Sequence, residues 1–144
     1  MLRINRLRVE INTENGVYGI DESFQSGLDF ITSLENTCGK SSILAAIYYC
    51  LGFEQILGGV GGIGSKVLTS AFKTAIEDNG KPWTVTESGA YLEISNGNET
   101  RTIYRSIKSE SKDDRLMTVY YGDFNSISDH RTISEDFYVN IQNA

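Results

Sequence analysis

Apolar and polar positions alternate through much of this chain, and the alternation changes period only once with conviction. Leu2, Ile4, Leu7, Val9 and Ile11 fall close to period two, with a single break between Ile4 and Leu7. That spacing places one face of a strand against a core. Asn15-Gly16 is a strong tight-turn dipeptide, and Val17 to Phe24 alternates again, so residues 2–24 are expected to form a β-hairpin. Gln25-Ser26-Gly27 is a second turn, followed by a short apolar strand over Leu28, Phe30 and Ile31. From Ser41 the pattern becomes helical: Ile43, Leu44, Ile47 and Leu51 predict a helix, and Gly52 marks its C-terminal end. The stretch 58–64, with five glycines in seven residues, is a loop. It acts as a lid, a dimer contact or a plain connector. Lys66 to Asp78 is expected to be a second amphipathic helix, closed by Asn79-Gly80, with Pro82 in the turn beyond. After Pro82 the chain turns β-rich. Trp83 to Ser95 alternates, Asn96-Gly97-Asn98 turns, and Thr100 to Ile107 alternates back. Thr102, Tyr104 and Ser106 share one face; Arg101, Ile103, Arg105 and Ile107 share the other. Residues 108–114 are a solvated loop, Leu116 to Tyr121 a third strand, 126–134 irregular, and Phe137 to Ile141 a final strand.

Composition narrows the class. The chain has 144 residues, which suits one domain or one lobe of a larger one. Hydrophobic residues at 40% against 22% charged exclude an intrinsically disordered polymer. No apolar run approaches the ~20 residues of a membrane span, and the alternating N-terminus lacks the continuous apolar stretch of a signal peptide. Lys and Arg total 13 against 19 Asp and Glu, a net charge of -6. Surfaces that grip nucleic acid are basic because phosphates need cations, so this segment is not expected to be the main DNA-gripping surface. Two cysteines, Cys38 and Cys50, make neither a disulfide scaffold nor a zinc spacing, and predict a reduced, cytoplasmic setting.

One segment carries a chemical motif: Leu34-Glu35-Asn36-Thr37-Cys38-Gly39-Lys40-Ser41-Ser42, between an expected apolar strand and an expected helix. A phosphate-binding P-loop requires that placement. Backbone N–H groups of Asn36, Thr37, Cys38, Gly39, Lys40 and Ser41 would line a concave nest around β- and γ-phosphates. The positive end of the following helix adds to the field. Lys40 would bridge the β/γ oxygens, and the Ser41 hydroxyl would ligate Mg²⁺. The pattern departs from G-x-x-x-x-G-K-[ST] at its first position, where Leu34 stands in place of glycine. That glycine eases a turn and contributes no charge.

The order of elements extends the comparison. A hairpin precedes the loop and a β-meander follows the helices. Met1 to Ile11 followed by Leu28 to Ser42, with Asn36 and Ser42 in place, resembles the N-terminal lobe of ABC-type ATPase heads of the SMC, RecF, RecN and SbcC group. Tyr49-Cys50-Leu51-Gly52-Phe53, Leu57-Gly58-Gly59 and Ile103-Tyr104-Arg105-Ser106-Ile107 are similar to the ATPase subunits of Lamassu-type antiphage defence systems. The resemblance implies an α/β fold: a P-loop NTPase of ABC/SMC-head type whose N-terminal lobe carries an antiparallel β-subdomain. It implies that residues 1–144 are that lobe, lacking its C-terminal partner lobe. ATP and Mg²⁺ would be the cofactors, and a second head the partner in a homodimer that sandwiches nucleotide. Head engagement would control DNA binding or an effector nuclease in DNA repair or antiviral defence. Asn36 to Ser42 would hold the triphosphate, and Lys40 would stabilise transferring charge. Gln142 would be the Q-loop glutamine, contacting Mg²⁺ and the attacking water; an ordinary polar residue at a strand end is the plain alternative.

The motifs that complete such an ATPase lie elsewhere in the family. Asp113-Asp114 and Asp21-Glu22 do not follow four apolar residues, so neither is a Walker B pair. Without that pair nothing activates water, and the segment alone is expected to hydrolyse ATP little or not at all. A non-catalytic scaffold or interaction module derived from a P-loop protein is the alternative function. Arg3, Arg6 and Arg8 are expected on a solvated strand face or against the nucleotide. His130 is expected at the surface, and Cys38 in loop packing.

Overall fold

A computed structural model describes residues 2–24, 39–53, 75–113, 115–127 and 132–138; for residues 39–42 and Glu77 the description is of the backbone. Strand β1 (Arg3–Thr13) turns back into β2 (Gly16–Ser23), pairing Val9 with Ile20 and Thr13 with Gly16. The connection is two residues, and Gly16 takes φ 126°, a region closed to residues with a Cβ. The expected hairpin over residues 2–24 therefore forms. Helix α1 (Gly39–Cys50) follows, then β3 (Ala75–Asp78), β4 (Lys81–Ser95), β5 (Thr100–Lys108), β6 (Leu116–Tyr120) and β7 (Ser134–Tyr138). The sheet runs β2-β1-β4-β5-β6-β7, with β3 paired to the start of β4. Every pairing is antiparallel.

The α/β P-loop NTPase fold of ABC/SMC-head type is corrected by this arrangement. The described residues form one open antiparallel sheet of seven strands with a single α-helix. The connections explain the outcome. Two-residue turns and short polar loops join only antiparallel strands, whereas parallel pairing needs a crossover of a dozen or more residues. The chain has such short turns at 14–15, 79–80 and 96–99. The expected helix over Lys66 to Asp78 is also corrected in its described part. Ala75–Asp78 is strand β3, held by a turn in which Asn79 and Gly80 both have positive φ, 54° and 75°. That is the primed turn that matches strand twist. Pro82 lies inside β4, opposite Glu77, not in a turn. The final strand, expected over Phe137 to Ile141, begins earlier, as Ser134–Tyr138; residues 139–141 lie outside the described residues. Residues 25–38, with the strand expected at Leu28 to Ile31, and the glycine-rich stretch 58–64 lie outside the described residues.

The core lies on one face of the sheet. Leu7, Val9 and Ile11 of β1, Ala90 and Leu92 of β4 and Ile103 and Ile107 of β5 are buried with Ala45, Ala46, Ile47, Tyr49 and Cys50 of α1. Cross-strand register aligns them: Leu7 faces Leu92, which faces Ile103. Each such aliphatic side chain contributes about 1.5–3 kcal/mol by leaving water. The helix crosses the middle of the sheet, touching β4, β5 and β1.

Its end is sharply defined. Gly52 has φ 77° and donates to the Tyr49 carbonyl at 3.0 Å, while the Phe53 amide donates to the Tyr48 carbonyl at 2.8 Å. This double bond pattern with a left-handed residue is the Schellman motif, and it confirms Gly52 as the stop signal. No helix among the described residues is long and apolar enough to cross a membrane. Gly52→Ala is expected to cost about 1 kcal/mol in urea unfolding with the slope unchanged, because a Cβ is disfavoured at that φ.

Candidate functional site

Gly39, Lys40, Ser41 and Ser42 are the first four residues of α1. The chain there leaves N–H groups without intrahelical acceptors, and the helix dipole adds partial positive charge. No acidic residue stands in the first turn to neutralise it. The motif's chemically demanding end is therefore on the helix terminus that the sequence required. Asn36, Thr37, Cys38 and Gln142 lie outside the described residues, as do Leu34 and His130.

The opposite end of α1 is fastened to β5. Arg105 is 1% exposed and is the largest of the fully buried side chains. Its Nη1 donates to the Tyr49 carbonyl at 2.8 Å, and its guanidinium carbon sits 3.9 Å from the Tyr49 ring centroid. The Tyr49 hydroxyl in turn donates to the Ser106 carbonyl at 2.6 Å. A buried charge is tolerable only when paired. The negative end of the helix and an aromatic face contribute to that compensation. Arg105 faces Ala90 on one side and Met117 on the other; the small alanine leaves room for the guanidinium. Cys50, fully buried beside this cluster, has its thiol pushed up to about 12 by desolvation, against the opposing pull of Arg105. It stays protonated at neutral pH and is no nucleophile.

Sequence reasoning placed Arg105 on the same strand face as Arg101, Ile103 and Ile107 but assigned it no role. The signal was present: an arginine flanked by Ile103 and Ile107 on the same strand face. The contact with Tyr49, 56 residues away, was not deducible.

The sheet face away from α1 carries a second cluster. Arg6 grips Asp21 through Nε and Nη2 at 2.8 and 2.6 Å, and Arg8 bonds Asp21 at 3.0 Å and Glu10 at 2.9 Å. Phe124, in a short 3-10 turn over Phe124–Ser126, lies 4.4 Å from the Arg6 guanidinium. Its amide donates to Glu93, and its ring meets Tyr91 edge-on at 5.2 Å. Tyr91 packs on Tyr104 at 4.7 Å, and burial pushes the Tyr91 hydroxyl up to about 12. Gly89 makes the Tyr104 position available, since a Cβ there would stand 2.6 Å from the tyrosine oxygen. Arg6 and Arg8 thus spend their charge on carboxylates across the sheet from α1. They occupy the half-solvated strand face expected of them and do not converge on the Gly39–Ser42 turn.

The acidic pairs have structural partners too. Asp21 is shared by the two arginines, and Asp113 caps and pairs Arg115. Among the described residues no three His, Cys, Asp or Glu side chains gather to hold a metal. No protein-family model, curated protein or solved structure matches this chain.

The Asp21 cluster gives a pH signature. Hydrogen bonds from Arg6, with the charges of both arginines, hold its carboxyl below the ordinary aspartate value of 3.8. A depressed folded value means stability that is complete near neutral pH and is lost as pH falls from 3.8 through the lower folded value. Asp21→Asn is expected to cost up to about 1 kcal/mol at pH 7. The gap from wild type should close in acid, as read by chemical unfolding at several pH values.

Proposed function

We propose that the first turn of α1 binds the triphosphate of ATP, and that this chain is the ATP-binding part of an SMC-like ATPase whose nucleotide-driven engagement controls DNA or an effector. One observation carries the phosphate reading: Gly39-Lys40-Ser41-Ser42 opens a helix free of acidic residues in its first turn and buried at its far end. A flexible ammonium and a hydroxyl beside free amides suit polyphosphate, as Lys is a point charge and amides supply directional donors. Asn36, Thr37 and Cys38 would complete the nest from the N-terminal side. Mg²⁺ fits this set only in company with the nucleotide. The protein donors would be the Ser41 hydroxyl and Gln142, with phosphate oxygens and water supplying the remaining ligands that Mg²⁺ prefers.

In this reading the backbone cradles phosphate, Lys40 offsets charge on the β/γ oxygens, and Ser41 orients the metal. Rapid hydrolysis is not expected of the chain alone, because no carboxylate pair follows an apolar run to position water. The engagement of a second head, DNA or a nuclease rests on the family resemblance of the sequence.

The scaffold reading has its own support. Leu34 replaces the first P-loop glycine, and the described fold is an antiparallel sheet. A helix N-terminus kept for packing, with no nucleotide, would suit an interaction module.

Calorimetric titration of the full chain with Mg-ATP separates the two. Saturable binding is expected, weakened about tenfold or more by Lys40→Ala, since a charge-assisted contact of about 1.5–3 kcal/mol is lost. Removing Mg²⁺ with a chelator should weaken the wild type as well. No binding by the wild type, or equal binding by Lys40→Ala with unchanged circular dichroism, overturns the phosphate reading and favours the scaffold.

A further inference from the structure

We infer that Arg105 is a positioning residue for the α1 phosphate site, acting from β5 through the far end of the helix; the inference rests on the phosphate reading of that helix. Termination of α1 does not need it. The Gly52 and Phe53 amides already satisfy the Tyr49 and Tyr48 carbonyls. Nor does the core need a charge at this position. An apolar side chain of similar volume fills such a place at less desolvation cost, and buried ion pairs are often replaced by apolar residues without loss of stability.

What the arginine adds is direction. Its Nη1 meets the Tyr49 carbonyl and its planar group lies on the Tyr49 ring, while the tyrosine hydroxyl reaches the next residue of the same strand, Ser106. One helical residue is thus held by two consecutive residues of β5. Contacts of fixed geometry at both ends of a rigid ring define the rotation of the helix about its axis and its position along the strand. Apolar contacts of Ala45, Ala46 and Ile47 alone permit sliding, since dispersion is non-directional.

The helix then carries that placement to its other end. Gly39 and Tyr49 are about 15 Å apart along the axis. A rotation at Tyr49 turns the amides of the first turn by the same angle. The arginine also faces the negative end of the dipole, so the cation and the incoming polyphosphate complement opposite ends of one helix.

Two readouts on the full chain test this. Amide hydrogen exchange reports how firmly α1 is held without any ligand, and titration with Mg-ATP reports the site. For Arg105→Met, amides of β1 and β4 should keep wild-type protection. Amides of α1 should exchange about tenfold faster, and the Kd for Mg-ATP should rise about tenfold. Arg105→Lys restores the charge without the planar stack and should recover the affinity in part. If Arg105→Met does not fold, Tyr49→Phe serves in its place, since it keeps the ring and removes the hydroxyl that bonds Ser106. It should shift both readouts in the same direction.

Unchanged α1 exchange overturns the inference. So does faster exchange with an unchanged Kd, which would make the arginine purely structural. In both cases a wild type that binds Mg-ATP leaves the phosphate reading standing. A wild type that binds no Mg-ATP removes the phosphate reading, and the positioning role falls with it.

Discussion

A guanidinium with almost no exposure lies between the sheet and α1. Arg105 joins the apolar face of β5 to the last turn of α1, where the helix carbonyls are most negative. The burial of Leu7, Val9, Ala90, Leu92 and Ile103 makes a sheet face that any apolar helix can cover. The arginine and Tyr49 determine where this helix lies on it. Packing supplies most of the stability, and the buried polar contact supplies the registration.

The two faces of the sheet divide the chemistry. On the helix side the charge is buried and directional. On the other side Arg6 and Arg8 pair with Asp21 and Glu10 beneath Phe124, whose amide donates to Glu93, and Tyr104 fills the space over Gly89. Among the described residues that face links the β1–β2 hairpin to β4 through Phe124 and Tyr91. The hairpins are tied together further out as well: Tyr18 of β2 donates to Asp78 of β3 at 2.8 Å and accepts from Asn15. The tyrosine hydroxyl is raised by its bond to that carboxylate.

Much of the fold was legible in the sequence because turn chemistry is local. Asn15-Gly16, Gly52 and Asn96-Gly97-Asn98 each mark a change of direction that the structure contains. The faces of β5 followed from alternation alone. The misreadings came where a local pattern was short or a motif was allowed to set the architecture. Ala75 to Asp78 is four residues, too few to tell a helix turn from a strand, and pairing with Thr84 to Lys81 decided it. Gly-Lys-Ser before an apolar helix pointed to a parallel α/β fold, while the tight turns around it already favoured antiparallel pairing. The candidate site was half legible: the helix expected from Ser41 forms and begins two residues earlier, at Gly39, but the Arg105–Tyr49 contact spans the chain, and no spacing rule reaches that far.

The most direct measurement is an amide-resolved NMR titration of the chain with Mg-ATP. Phosphate held by the helix terminus is expected to produce the largest shifts at the amides of Gly39, Lys40, Ser41 and Ser42, with smaller changes at Tyr49 and Arg105 and none at Arg6, Arg8 or Phe124. Shifts concentrated on the Arg6–Phe124 face, or no shifts at saturating nucleotide, would contradict the account.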